Sequence, residues 1–262
     1  KLRELSLSFN SLGGTIPTEL GLHAPSLQLM EARMNALSGS LPDELGQMQV
    51  LQAMMLQNNS FSGTLPADFG RPQSGAAGTG LIGGLPTLRY LELQHNSGLS
   101  GTLPTSLGVV GHDFSFVLPE LRDNLLRLII QGTQLSGSLP SELGQLNELN
   151  ELNLEANAFS GSIPSEIGRL RKLEVLDLYS NALEGDLPSS VAHLINIRLF
   201  YLPNEVLTPL RMHYCGQRMP NVGKYSYRIV REEYTRMSSA LCAEPLDTLG
   251  AFGTLSQLSG DV

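Results

Sequence analysis

Leu149 to Lys172 reads LNELNLEANAFSGSIPSEIGRLRK, and the chain repeats this stretch, with substitutions, from Leu2 to about Leu202. Within it Leu149, Leu152 and Leu154 precede Asn157, Phe159, Gly161, Ile163, Pro164, Ile167 and Gly168. The next unit, from Leu173, has Leu176, Leu178, Asn181, Leu183, Gly185, Leu187, Pro188 and Val191 at the same offsets. A fixed period of about 24 residues makes each unit one turn of a solenoid, which buries its apolar side only by stacking on its neighbours. In x-L-x-L-x the side chains alternate with period two, so the leucines enter the core and the x residues line the opposite face. Stacked units give one parallel strand each, about 4.8 Å apart. Leu→Ala at Leu152 or Leu176 is then expected to cost about 2 to 5 kcal/mol, read from the urea unfolding midpoint.

Outward from this pair, repeats begin at Leu2, Leu27, Leu51, Leu88, Leu125 and Ile197. They divide the chain into a solenoid over residues 1–202 and an extension over 203–262. Insertions near 71–87 and 109–124 interrupt the array; the first is rich in glycine, and the second carries the apolar run Phe114-Ser115-Phe116-Val117-Leu118. Apolar runs of that kind call for a partner or a groove of their own coil. Repeat four has one extra residue before Leu99, and repeat five has Thr133 where the others have asparagine. The recurring asparagine follows the strand, where its amide can both donate to and accept from unpaired backbone of neighbouring coils. Thr133 can replace only part of that, so coil five is expected to be the loosest. The glycine of each G-x-[IL]-P step relieves crowding, and the proline leads into a short helical turn capped by Thr, Ser or Asp. Pro203 cannot donate to a ladder, so the repeating sheet should stop there. Lys1 falls directly before the first repeat's leucine, which leaves an apolar edge that further upstream residues are expected to cover.

The formal charge of the chain is -8, unevenly spread. Residues 1–202 hold 11 Lys and Arg against 19 Asp and Glu, whereas 203–262 hold 6 against 6. An acidic array lacks the basic footprint that nucleic acids and anionic lipid surfaces require. No run of eighteen apolar residues is present, so no direct membrane insertion is expected of this segment.

The consensus N-x-L-x-G-x-[IL]-P-x-x-[LIF]-G, carried by about seven good repeats and one partial one over residues 2 to 202, resembles the plant-type subclass of leucine-rich repeats. That subclass includes receptor-like ectodomains, polygalacturonase-inhibiting proteins and related algal and protist arrays. The resemblance implies an α/β repeat solenoid, a right-handed superhelix with a parallel concave β-sheet and short 3-10 or helical turns on the convex side. It also implies an extra short strand after the N-x-L-x-G step, and a non-enzymatic binder whose concave face meets its ligand. A secreted or cell-surface location follows from the resemblance alone; the residues leave an intracellular one open. Two features depart from the subclass: the cysteine-paired N-terminal cap is absent, and residues after Pro203 match no plant cap.

Residues 203–262 read as a partly helical C-terminal cap, with helices over Val206 to Met219 and Tyr225 to Leu241. Their tyrosines and arginines are also anchors of the kind enriched at interface centres. Cys215 and Cys242 lie near the helix ends. They read either as a disulfide worth roughly 3 to 4 kcal/mol or as two buried reduced thiols. Asn58-Asn59-Ser60 is a single glycosylation triplet, with Asn58 as acceptor.

Catalytic readings find little support. Gly78-Thr79-Gly80-Leu81-Ile82-Gly83 matches G-x-G-x-x-G but lacks the flanking strand and helix of a dinucleotide site. His213 and Cys215 have no third ligand or acid at motif spacing. No enzyme activity, cofactor or metal is expected.

Function is placed on the x columns. The residues singled out there are Leu29, Glu31, Met55, Tyr90, Glu92, Gln94, Arg127, Ile129, Glu151, Asn153, Glu155, Asp177, Tyr179 and Tyr201. Apolar members, Leu29, Met55, Tyr90, Ile129, Tyr179 and Tyr201, are read as solvent-facing and surrounded by carboxylates. They suit a protein or peptide partner with a basic, partly apolar surface. The alternative is a structural subunit of a larger assembly docked through the insertions and the C-terminal region; a secreted enzyme inhibitor is the more distant one.

Overall fold

The computed structural model describes residues 2–66, 85, 87–107, 125–203 and 229–230. Eight coils each contribute a three-residue strand to one concave sheet: Glu4–Ser6, Leu29–Glu31, Ala53–Met55, Tyr90–Glu92, Arg127–Ile129, Glu151–Asn153, Val175–Asp177 and Leu199–Tyr201. All eight run parallel and in phase, so Leu5, Met30, Met54, Leu91, Leu128, Leu152, Leu176 and Phe200 form one row. From coil two onward that row is buried, and Leu152 and Leu176 are wholly inaccessible.

A second, seven-stranded parallel sheet runs from Gly13–Gly14 through Ala36–Gly39, Ser60–Thr64, Gly98–Thr102, Gln134–Gly137 and Ala158–Gly161 to Ala182–Leu183. It is built from the residues after each asparagine, the extra strand that the plant-type consensus implies. The convex side carries an α-helix at Thr18–His23 and 3-10 turns at Asp43–Gln47, Thr105–Leu107, Ser141–Gln145, Ser165–Arg169 and Ser189–His193. Together these elements make the plant-type leucine-rich-repeat solenoid.

Several local expectations need correction. The glycine of G-x-[IL]-P is required chiefly by its backbone: at Gly161 and Gly185 φ is 74° and 87°, a region where a Cβ is unfavourable. Pro164 itself occupies the N-cap of its turn, and no side chain caps it; Ser165 Oγ instead donates to Glu166 Oε2 at 3.2 Å. The same holds at Ser141, which donates to Glu142.

Coil five is not short of partners. In the regular coils the asparagine Oδ1 accepts from a backbone N–H of the preceding coil, as from Phe159 N to Asn181 at 3.0 Å. In coil four the extra residue lets Leu99 N–H bond Asn96 O in its own coil, at 3.0 Å. The donor that an asparagine at 133 would have served is thus already satisfied. Thr133 is buried, and its hydroxyl joins Asn157 Oδ1. The extra residue before Leu99 and the Thr133 substitution are one linked departure.

The parallel sheet ends at coil eight, but the sheet does not. Ile229–Val230 adds a ninth strand, antiparallel to Leu199–Tyr201, with Leu199 opposite Val230 and Phe200 opposite Ile229. A helix over Tyr225 to Leu241 is therefore wrong at these two residues. Covering the last strand's open edge satisfies N–H and C=O groups that would otherwise attract foreign strands. The rest of the expected cap, Cys215, Cys242 and the insertion residues 71–84, 86 and 109–124 lie outside the described residues.

Candidate recognition face

The concave sheet brings the x residues into three straight columns. Glu4, Leu29, Ala53, Tyr90, Arg127, Glu151, Val175 and Leu199 are register partners in succession, as are Ser6, Glu31, Met55, Glu92, Ile129, Asn153, Asp177 and Tyr201. Arg33, Gln57, Gln94, Gln131, Glu155 and Tyr179 continue each strand by two residues, as the third column.

Neighbouring strands are so close that these side chains shield one another. Leu29, Met55, Tyr90, Tyr179 and Tyr201 are half-buried, as are Glu31, Gln94, Arg127, Glu151, Asn153, Glu155 and Asp177. Ile129 is the exception among the apolar members. At 5 % exposure it is buried between its neighbours and is not a solvent-facing anchor. Glu92 is likewise buried.

A charge network holds the centre. Gln57 Nε2 donates to Glu92 Oε2 at 2.9 Å, and Arg127 reaches Glu92 at 3.2 Å and Glu151 at 2.8 Å. Burial works against the Arg127 cation, but the hydrogen bond and charge of Glu151, with Glu92, hold its pKa above the usual value. Beside this network lies a shallow depression of about 180 Å³, lined by Tyr90, Leu126, Arg127, Asn150, Glu151, Glu174 and Val175. Leu126, Asn150 and Glu174 were missed in the sequence. They precede the strands, outside the x-L-x-L-x window, although their fixed offset was available as a signal.

Farther along, Asn153 Nδ2 donates to Gln131 Oε1 at 2.7 Å, and Asp177 Oδ1 accepts from Tyr179 N–H at 3.0 Å. Glu155 and Asp177 have no cationic partner among the described residues. Burial lifts the Asp177 pKa to about 6; the Tyr179 N–H bond opposes the shift, and the charge of Glu155 adds to it.

The sign of the consequence follows from linkage. The folded state holds the Asp177 proton more tightly than the unfolded chain, so ionisation costs stability, fully above about pH 6 and not at all below about pH 4. Asp177→Asn keeps an acceptor for Tyr179 N–H. It is expected to stabilise the protein by about 1 kcal/mol at neutral pH, the figure being reduced for partial exposure. Thermal midpoints measured from pH 3.5 to 8 should show the gain vanishing at the acid end.

Asn58, the glycosylation acceptor of the sequence reading, sits at a coil corner with φ 57°, and its N–H donates to Gln94 O at 2.9 Å. The glycine-rich G-x-G-x-x-G segment, His213 and Cys215 lie outside the described residues. Among the described residues no helix is long and apolar enough to cross a membrane.

Comparison with known proteins agrees with this geometry. The family model described as Leucine Rich Repeat matches residues 1–22, 148–170 and 172–194. No curated protein sequence matches the chain at a significant level. Among solved structures, a TDR receptor is 28% identical with a TM-score of 0.64, over 76% of this chain and 30% of that one. The Arabidopsis receptor kinase HAESA, in complex with the peptide hormone IDA and the co-receptor SERK1, is 28% identical with a TM-score of 0.64, over 76% of this chain and 29% of that one. Pollen Receptor Kinase 3 is 29% identical with a TM-score of 0.56, over 70% of this chain and 76% of that one. The chain thus carries a leucine-rich-repeat array of the plant type. It spans about 30% of the length of the first of these receptors.

Proposed function

We propose that the chain is a recognition module that binds a protein or peptide partner along its concave face. The observation that carries this reading is the set of half-buried Leu29, Met55, Tyr90, Tyr179 and Tyr201, spread over the three in-phase columns of a sheet rich in carboxylates. Half-burial fixes rotamers before binding, so less side-chain entropy is lost on association. Tyrosines offer a large apolar face with a polar tip, which suits interface centres. The depression beside Tyr90 gives one partner side chain a place to insert. Arg127 is engaged by both Glu92 and Glu151, whereas Glu155 and Asp177 have no cationic partner among the described residues, and the excess of carboxylates suits a partner with a basic, partly apolar surface. HAESA, which shares the fold, is a receptor kinase in complex with a peptide hormone. That supports the same class of ligand here, and with it a secreted or cell-surface setting.

The test is a double substitution, Tyr90→Ala with Tyr179→Ala, assayed against the partner recovered from the native source. Loss of at least about 2 kcal/mol in affinity is expected, with a thermal midpoint close to the parent's because neither ring is in the core. Unchanged affinity would sink the concave strip as the binding site.

A further inference from the structure

We propose that the depression beside Tyr90 is a lysine subsite, which takes one lysine side chain of the partner polypeptide and holds its ammonium between Glu151 and Glu174. The inference rests on the concave reading above and names the side chain that the depression receives.

The repeat places the lining. Tyr90, Arg127, Glu151 and Val175 are successive members of the first column, and Leu126, Asn150 and Glu174 stand one residue before the last three of them. Parallel strands lie about 4.8 Å apart, so the depression passes from an aromatic ring on coil four to a carboxylate on coil seven within about 15 Å. Tyr90, Leu126 and Val175 are half-buried and give it apolar walls. A lysine stem covers such a surface while its charged head stays at the polar end.

The carboxylates fix the chemistry of that head. Arg127 is shared: Nη1 reaches Glu92 at 3.2 Å, and Nε reaches Glu151 Oε2 at 2.8 Å. Arg198 Nη1 reaches Glu174 Oε2 at 3.2 Å. Glu92, Glu151 and Glu174 thus face two guanidinium groups, which leaves one negative charge in excess. In both lining carboxylates Oε2 is engaged, whereas Oε1 has no partner among the described residues. The side-chain amide of Asn150, beside them in the lining, makes no hydrogen bond among the described residues either. An ammonium, with three donors on a compact head, suits single oxygens offered by separate residues. Arginine does not, because its planar fork seeks both oxygens of one carboxylate. The direction of the stem follows from Arg89, exposed on coil four and without an ion pair among the described residues. Its charge repels the ammonium from that end and leaves coils six and seven to receive it.

The test needs no natural partner. Nα-acetyl-lysine methylamide is titrated into the full chain at low ionic strength while the Val175 methyl resonances are followed by NMR; the norleucine and arginine derivatives are the controls. Saturable movement is expected with the lysine derivative, at about tenfold lower concentration than with norleucine and severalfold lower than with arginine. Glu174→Gln removes only a rim ion pair and keeps the fold, and it should weaken the lysine response severalfold. Equal response to lysine and norleucine, a tighter response to arginine, or movement at Val175 no larger than at the exposed Ile195 overturns the proposal. The partner assay with Tyr90→Ala and Tyr179→Ala is independent of these titrations, so a failed lysine subsite and a failed concave strip are told apart.

Discussion

Alanine at Gly168 is expected to destabilise the solenoid by about 3 kcal/mol or more, although it adds one methyl group. That methyl would overlap the backbone carbonyl of Ser190 in the next coil and stand 2.6 Å from Ser190 Cβ. Gly144 meets Glu166 in the same way, and Gly21 meets Glu44. The convex turns stack backbone on backbone at this position, so the obstacle is main chain, which cannot rotate aside. Relief requires two coils to separate, and separation opens the leucine core beneath. The urea unfolding midpoint should fall, because less free energy then opposes denaturant. The sequence contains its own control. Repeat seven has Ala192 at the corresponding position, its side chain is exposed, and no further helical turn stacks beyond it among the described residues. Ala192→Gly should accordingly leave the midpoint almost unchanged.

Asn181→Ala should cost about 3 to 5 kcal/mol, because it strands several buried groups at once. Asn181 Nδ2 donates to Leu154 O at 2.9 Å and to Leu178 O at 3.0 Å, and its Oδ1 accepts from Phe159 N–H at 3.0 Å. One amide thereby ties coil six to coil seven where the chain leaves the strand. Water does not replace the lost bonds easily, since Asn181 is itself buried. Asn181→Asp keeps the acceptor but loses both donors and buries a charge, so it should be no better than alanine near neutral pH. Asn35, half-buried in coil two, makes the same set of bonds, to Leu7 O and Ala32 O and from Leu12 N–H. Its loss should cost less, because Asn35 is half-buried whereas Asn181 is buried. Amide hydrogen exchange at Phe159 is the most local readout, and its protection should collapse in the Asn181 variants.

What repeats was legible in the sequence. The strand leucines, the asparagine, the glycine and the proline recur at fixed offsets, and each performs one geometrical task per coil. The three concave columns were legible for the same reason, since period two assigns every other residue to one face. Their burial was not. Ile129 is covered and Glu92 is enclosed by Gln57 and Arg127, which depends on side chains contributed by neighbouring coils. Nor was the compensation between Leu99 and Thr133 legible, because it links an extra residue in one coil to a substitution in the next. The strand Ile229–Val230 lies within the stretch Tyr225 to Leu241 that reads as helix. The alternation through Tyr225, Tyr227 and Ile229 was the signal that pointed the other way.

Recognition through the concave face is tested most directly by cross-linking mass spectrometry on the protein isolated gently from its native source. A carboxylate-reactive linker is needed, since Lys1, Lys172 and Lys224 are the only lysines. Links from Glu151, Glu155 or Asp177 to a second protein are the predicted result, and they would identify the ligand. Links confined to Glu120, Glu232, Glu233 or Asp247 would contradict concave recognition and make the chain an assembly subunit held by its second insertion and its C-terminal region.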